Sequence, residues 1–205
     1  MRDAPRGSGG AVMVLPGLFN SDLSTLVMRR YLAGLGHRVE GWGLGRNLGV
    51  RSVGPDAERL VARVEAMAEA AGAPVALVGV SLGGILARLV AARRPELVAQ
   101  VVTVSSPYAG DPRATNVWRA FEWVTGERVD DPVVAERMAA AAAPLPVPAT
   151  AIWSATDGVV SGAICRCDHA RSVEVRSGHL WVQMRPEVLA AVATALAADQ
   201  LSSAA

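Results

Sequence analysis

The sequence predicts an α/β fold, a mostly parallel sheet of six strands with helices on both faces. Three observations carry that prediction. Of the 205 residues, 51% are hydrophobic and only 19% charged, the balance of a chain that buries much of its surface. Short continuous apolar runs, such as Ala11–Leu15 and Val75–Val80, have the length of strands buried on both faces. These runs alternate with segments of helical periodicity, as a parallel sheet requires. The length suits a single domain over 1–205.

Taken in order, Ala11–Leu15 is the first buried strand, stopped by Pro16-Gly17. Ser21 or Asp22 is placed to cap a helix reaching Leu35, with Leu23, Leu26, Val27 and Tyr31 on one side. His37 to Trp42 reads as a second strand, and its alternation suggests a sheet edge. The glycine-rich stretch from Gly41 to Gly49 has the spacing G-x-G-x-x-x-G and opens no helix, so it is not a dinucleotide loop. It reads as a loop at the rim of the sheet, with Arg46 and Asn47 available to tie it down. Pro55 to Ala71 is helical, with Leu60, Val64, Met67 and Ala71 on one stripe and Gly72 as a stop.

The strand at Val75–Val80 and the helix from Ile85 toward Pro95 follow, then a strand at Leu97 to Val104. From Asp111 to Pro148 the pattern becomes a helical excursion between two strands. It holds a stripe of Val117, Trp118, Phe121 and Val124, then an alanine-rich helix from Pro132 to Ala143. Ala149 to Trp153 and Ser172 to Val175 are the last strands. Pro186 starts a closing helix with Val188, Leu189, Val192 and Leu196 inward.

Composition narrows the function classes. A formal net charge of +1 provides no basic footprint for nucleic acid. All 20 basic residues are arginine, which reads as a composition bias, and the lack of lysine excludes a lysine Schiff base or general base. Cys165 and Cys167 are too close for an ordinary disulfide and point to a reducing compartment. With no secretory signal or membrane-length apolar run in the sequence, the expected location is cytoplasmic.

The chemistry is concentrated at Gly79-Val80-Ser81-Leu82-Gly83. An apolar strand, G-x-S-x-G and a helix in immediate succession form a nucleophile elbow, with Ser81 on a sharp turn at the top of a sheet. Gly79 and Gly83 remove side chains that would crowd that turn, and the helix start directs free amides at an anion forming beside Ser81. A serine nucleophile needs a base and an acid that orients the base. Of the three histidines, His179 follows the last strand, and Asp157 follows the strand before it. Both positions fall on the rim that holds Ser81, in the order Ser, Asp, His. Asp168 is the competing acid, but it lies further along its connection among Arg166, His169 and Arg171. The oxyanion hole is expected from the amides of Leu82 and of Leu18, in the loop after the first strand.

These residues resemble the α/β hydrolases of the small bacterial lipase and esterase type. The matching pieces are Pro16-Gly17-Leu18, Gly79 to Gly83, Asp157-Gly158 and Gly178-His179, and the loop Gly45 to Gly49 resembles small hydrolases of this type. The resemblance implies a minimal α/β-hydrolase fold with a short helical lid at about 111–148. It implies a serine hydrolase of carboxylic esters, forming an acyl-enzyme on Ser81, with Ser81, Asp157 and His179 as the catalytic triad and no cofactor. The expected partner is a small-molecule ester, lipid-like ones included, with Phe19, Trp123 and Trp181 at the substrate pocket. Two departures stand out. The usual leading hairpin is missing, and Pro16 replaces the histidine that often steadies the oxyanion loop. An acyltransferase with the same triad, or a non-catalytic binding protein of this fold, are the alternatives. Cys165-Arg-Cys167-Asp168-His169 offers soft ligands but lacks the second cluster that a structural zinc site needs, so no metal is expected.

Overall fold

The computed structural model describes residues 4–7, 9–111, 113, 115 and 118–202, so Val117 of the excursion lies outside the described residues. The strands are β1 (Ala11–Leu15), β2 (Arg38–Gly41), β3 (Val75–Val80), β4 (Val98–Val104), β5 (Ala149–Trp153) and β6 (Arg171–Glu174). They form a sheet in the order β2-β1-β3-β4-β5-β6, with every pairing parallel. The helices are α1 (Leu26–Gly34), α2 (Val50–Val53), α3 (Glu58–Ala71), α4 (Leu82–Arg93), α5 (Trp118–Thr125), α6 (Pro132–Ala142) and α7 (Pro186–Ser202). Chain direction across the sheet reverses between β1 and β3. A crevice opens at such a switch point, at the carboxyl ends of the strands.

Strand alternation sorts the apolar side chains into two cores. Met13, Leu15, Val75 and Leu77 face one core with α3 and α4, through Leu60, Val64, Leu86 and Val90. Val12, Val14, Ala76 and Val78 face the other with α1 and α7, through Met28, Leu32, Val188 and Val192. The edge strands β2 and β6 are largely exposed, whereas β1 and β3 are buried throughout.

Several elements differ from the sequence expectation. Residues 21–25 form turns, so α1 begins at Leu26 with Thr25 as its N-cap. Asp22 does not cap that helix; its carboxylate accepts hydrogen bonds from the Trp42 and Gly43 amides at 2.9 and 3.0 Å. The buried face of α1 is Met28 and Leu32, while Leu23 and Val27 are exposed. Helix α2 was not anticipated, since four residues are too few to show a period. Helix α3 starts at Glu58 rather than Pro55, β4 starts at Val98, and β6 is shifted back by one residue.

The excursion folds as α5 and α6, and α6 covers the face of α4 that the sheet leaves open. Nine of the twelve residues of α4 are buried as a result. Among them is Arg88, 2% exposed. Its Nε donates to the Ala141 carbonyl and a terminal nitrogen donates to that of Ala143 at 2.7 Å, both at the C-terminal end of α6. Its guanidinium also lies 4.1 Å over the Tyr108 ring. A cation suits the negative end of a helix and the face of an aromatic ring. Arg88→Met leaves two helix-end carbonyls unsatisfied and is expected to destabilise the fold by about 2–4 kcal/mol. Urea unfolding checks this, with the exposed Arg59→Met expected within about 0.5 kcal/mol of the parent protein.

Candidate active site

Strand β3 delivers Ser81 into a turn with φ 51° and ψ −121°, and α4 begins at the next residue. Such a φ is unfavourable for any residue with a side chain. The Ser81 amide donates to the Val104 carbonyl at 2.8 Å, and the Gly84 amide donates to the Ser81 carbonyl at 2.9 Å. The surrounding glycines are required by close approach. A Cβ on Gly79 would strike the backbone of Gly83 and Gly84, and one on Gly83 would strike the carbonyls of Leu15 and Pro16.

The loop after β1 lies directly against this turn, since a Cβ on Gly17 would sit 3.3 Å from that of Ser81. Among the described residues, neither the Leu18 nor the Leu82 amide has a hydrogen-bond partner, so both are available to an anion. The loop is steadied by Asn47, which is fully buried. Its Nδ2 donates to the Pro16 carbonyl at 2.7 Å, and its Oδ1 accepts from the Gly49 amide at 3.1 Å. Its carbonyl accepts from Phe19 at 2.8 Å and its amide donates to Asn20 at 2.7 Å. The steadying bond expected to be missing with Pro16 in place is thus supplied from the other side. Sequence reasoning marked Asn47 as a tether of its own loop, not of this one.

Asp157 and His179 meet on the same rim. Asp157 Oδ2 lies 2.8 Å from His179 Nδ1, with the aspartate side chain 2% and the histidine 15% exposed. The other carboxylate oxygen accepts from the Val159 and Val160 amides, each at 3.0 Å. Burial pushes the Asp157 carboxyl up, but the His179 hydrogen bond and these amides outweigh it and hold the pKa below the ordinary aspartate value. Ser154 stitches the two loops together, because its hydroxyl accepts from the Ser177 amide at 3.1 Å and from the Thr156 amide at 3.1 Å. Ser81 Oγ makes no hydrogen bond to the His179 ring among the described residues. Such contacts commonly tighten only when a substrate is bound.

The other candidates lie apart. Asp168 and His169 are exposed, and His37 is buried at the entry to β2, where burial lowers its pKa. The two thiols diverge: burial, reinforced by the nearby Asp157 charge, pushes the Cys165 pKa up to about 12, and Cys167 lies 3.7 Å from the Tyr108 hydroxyl. Among the described residues no three His, Cys, Asp or Glu side chains converge as metal ligands. No described helix is long and apolar enough to cross a membrane.

An apolar cavity opens beside Ser81, Leu18 and Leu82 and is walled by α2, α4 and the excursion. Trp118 and Phe121 line it, so the stripe on α5 faces the cavity. The three residues expected at the substrate pocket do not line it. Trp123 is 81% exposed on the opposite side of α5, and Phe19 and Trp181 also point outward.

No family model and no curated protein matches the chain. Solved structures do. The mature lipase BlEst2 of Bacillus licheniformis shares 15% identity at TM-score 0.66, over 89% of each chain. The thioesterase domain from the curacin biosynthetic pathway shares 16% at TM-score 0.59, over 94% of this chain and 92% of that one. Lipase B of Aspergillus fumigatus shares 15% at TM-score 0.70, over 94% of this chain and 53% of that one. The all-parallel sheet, its covering helices and these likenesses establish that the chain has the α/β-hydrolase fold.

Proposed function

We propose that the protein is a serine hydrolase of carboxylic esters that works through an acyl-enzyme on Ser81. The observation that carries this reading is the 2.8 Å hydrogen bond between Asp157 and His179, on the rim where β3 presents Ser81. With Nδ1–H donated to Asp157, the Nε2 of His179 is free to take the Ser81 proton. Ser81 Oγ then attacks the ester carbonyl, and the oxyanion is received by the Leu18 and Leu82 amides. His179 passes the proton to the departing alcohol. It next takes a proton from water, whose oxygen attacks the acyl carbon, and then returns that proton to Ser81 Oγ as the bond to Ser81 breaks and the carboxylic acid leaves. Asp157 stays ionised throughout and balances the charge on the ring.

Solved relatives of the fold that are called lipases or a thioesterase support hydrolysis as the class of reaction. Exposure favours water over another acyl acceptor. Leu180 and Trp181, next to His179, are 73% and 65% exposed, so the histidine side of the site is open to solvent.

Ser81→Ala and His179→Ala are each expected to lower kcat on an aryl ester by about 10⁴ to 10⁶, and the double variant to be no worse than either. Aryl ester hydrolysis that survives Ser81→Ala, measured on purified folded protein, defeats the mechanism.

Asp157→Asn is expected to keep the fold and to lower kcat by up to about 10⁴ by leaving the wrong histidine tautomer. Asp168→Asn should stay within a few-fold of the parent. The opposite ranking would assign the acid to Asp168.

The depressed Asp157 pKa also has a sign in stability. The ionised carboxylate contributes stability above the ordinary aspartate value of 3.8, and that contribution disappears as pH falls through the lower native value. Urea midpoints of the parent protein and Asp157→Asn should therefore converge between about pH 5 and the acid limit of folding.

A further inference from the structure

The cavity beside Ser81 has a direction. Its α4 wall consists of Leu82, Ile85, Leu86, Leu89 and Arg93, a spacing that keeps one face of the helix in contact with it. From the first to the last of these residues α4 advances about 16 Å. Helix α2 and the turn after it run alongside, from Gly49 to Pro55 and Ala57. The two walls meet at the far end, where Arg93 bonds to the carbonyl and the carboxylate of Asp56. Trp118, Phe121, Val134 and Met138 of the excursion complete the enclosure.

We propose that this cavity is the acyl site, and that it takes a straight aliphatic chain laid along α4 from Ser81 toward Arg93. This rests on Ser81 being the nucleophile. The length of the site sets the length of the chain. Extended covalent chain advances roughly 3.5 Å per three bonds, so 16 Å accommodates about a dozen atoms. The walls set its chemistry. Arg93, Glu127 and Arg137 are the charged residues of the lining, and each has a partner: Glu127 and Arg137 pair at 2.7 Å, and Arg93 holds Asp56. No charge is left over for an acidic or basic tail, and the remaining surface rewards methylene groups. Arg93 then limits the chain, because carbon that grows past Leu89 meets a solvated guanidinium.

The alcohol lies on the other side. His179 must hand its proton to the leaving oxygen, so that oxygen departs toward the ring. Neither His179 nor its exposed neighbours Leu180 and Trp181 belong to the cavity. Selectivity therefore falls on the acid half of the ester, and the alcohol half is loosely specified.

A panel of p-nitrophenyl esters from acetate to palmitate tests this on the intact protein. Expected is a kcat/KM that rises by up to about fourfold per added methylene, peaks near ten to twelve carbons and falls beyond. Met138→Trp fills the wall of the cavity. It should shift the peak to shorter chains by about four carbons. Trp123→Ala, outside the cavity, should leave the profile unchanged. A profile that is flat or falls from acetate onward overturns the acyl site but leaves the serine mechanism standing, and the parent protein alone decides this if Met138→Trp does not fold.

If no ester is hydrolysed and a fluorophosphonate fails to label the parent, the nucleophile reading fails. The cavity is then judged by laurate and butyrate displacement of a fluorescent fatty acid from Ser81→Ala protein. Laurate binding at least tenfold tighter sustains an aliphatic chain site, and equal or absent binding overturns it.

Discussion

Helix α4 begins so close to the end of β1 that no side chain fits between them. A Cβ on Gly83 would overlap the carbonyls of Leu15 and Pro16, and one on Gly84 would overlap the Ser106 hydroxyl. This contact places the serine turn, the helix start and the loop after β1 within one van der Waals layer. Ser81 holds a left-handed backbone because hydrogen bonds to Val104 and Gly84 close around it. Backbone strain persists where the surroundings over-determine it, and here they do. Asn47 completes the arrangement by fixing the Pro16 carbonyl and the Phe19 amide from a third segment.

A second constraint governs the excursion. Helix α4 is apolar around most of its circumference and must be covered on the side away from the sheet. Helix α6 provides that cover, and Arg88 joins the two by giving its charge to the carboxyl end of α6. The cavity is the part of this interface that is not filled. Arg88 joins α4 to the C-terminal end of α6, while Val134 and Met138 nearer its start line the cavity together with Trp118 and Phe121 of α5. The antiparallel bridge between Thr115 and Val160 then ties the start of the excursion to the loop that bears Asp157.

How much could be read beforehand depended on how local each signal was. Val75–Val80 and the glycines after it are contiguous and stereochemically demanding, so the central strand and the serine turn were plain in the sequence. Asp157 and His179 followed from strand ends and chain order, and the structure brings their side chains together. Helix α1 was misread because Leu23 and Val27 are apolar yet face outward, and periodicity alone cannot choose between two apolar faces. Arg88 carried no signal, since its acceptors lie 53 and 55 residues away and arginine is the only strong base in the chain. Trp123 was expected at the substrate pocket, but the cavity lies on the other face of α5, at Trp118 and Phe121.

The sheet divides the molecule into two cores with different obligations. Ser81, α4, α2 and the excursion all stand on the side packed by Leu60, Val64 and Leu86. The opposite core, built from Met28, Leu32, Val188, Val192 and Leu196, contributes no cavity wall. Its side chains answer to volume and rotamer, so that face can be repacked for heat resistance without altering a wall of the cavity. What separates the two faces is a single layer of backbone, β1 and β3, whose alternate side chains answer to different cores.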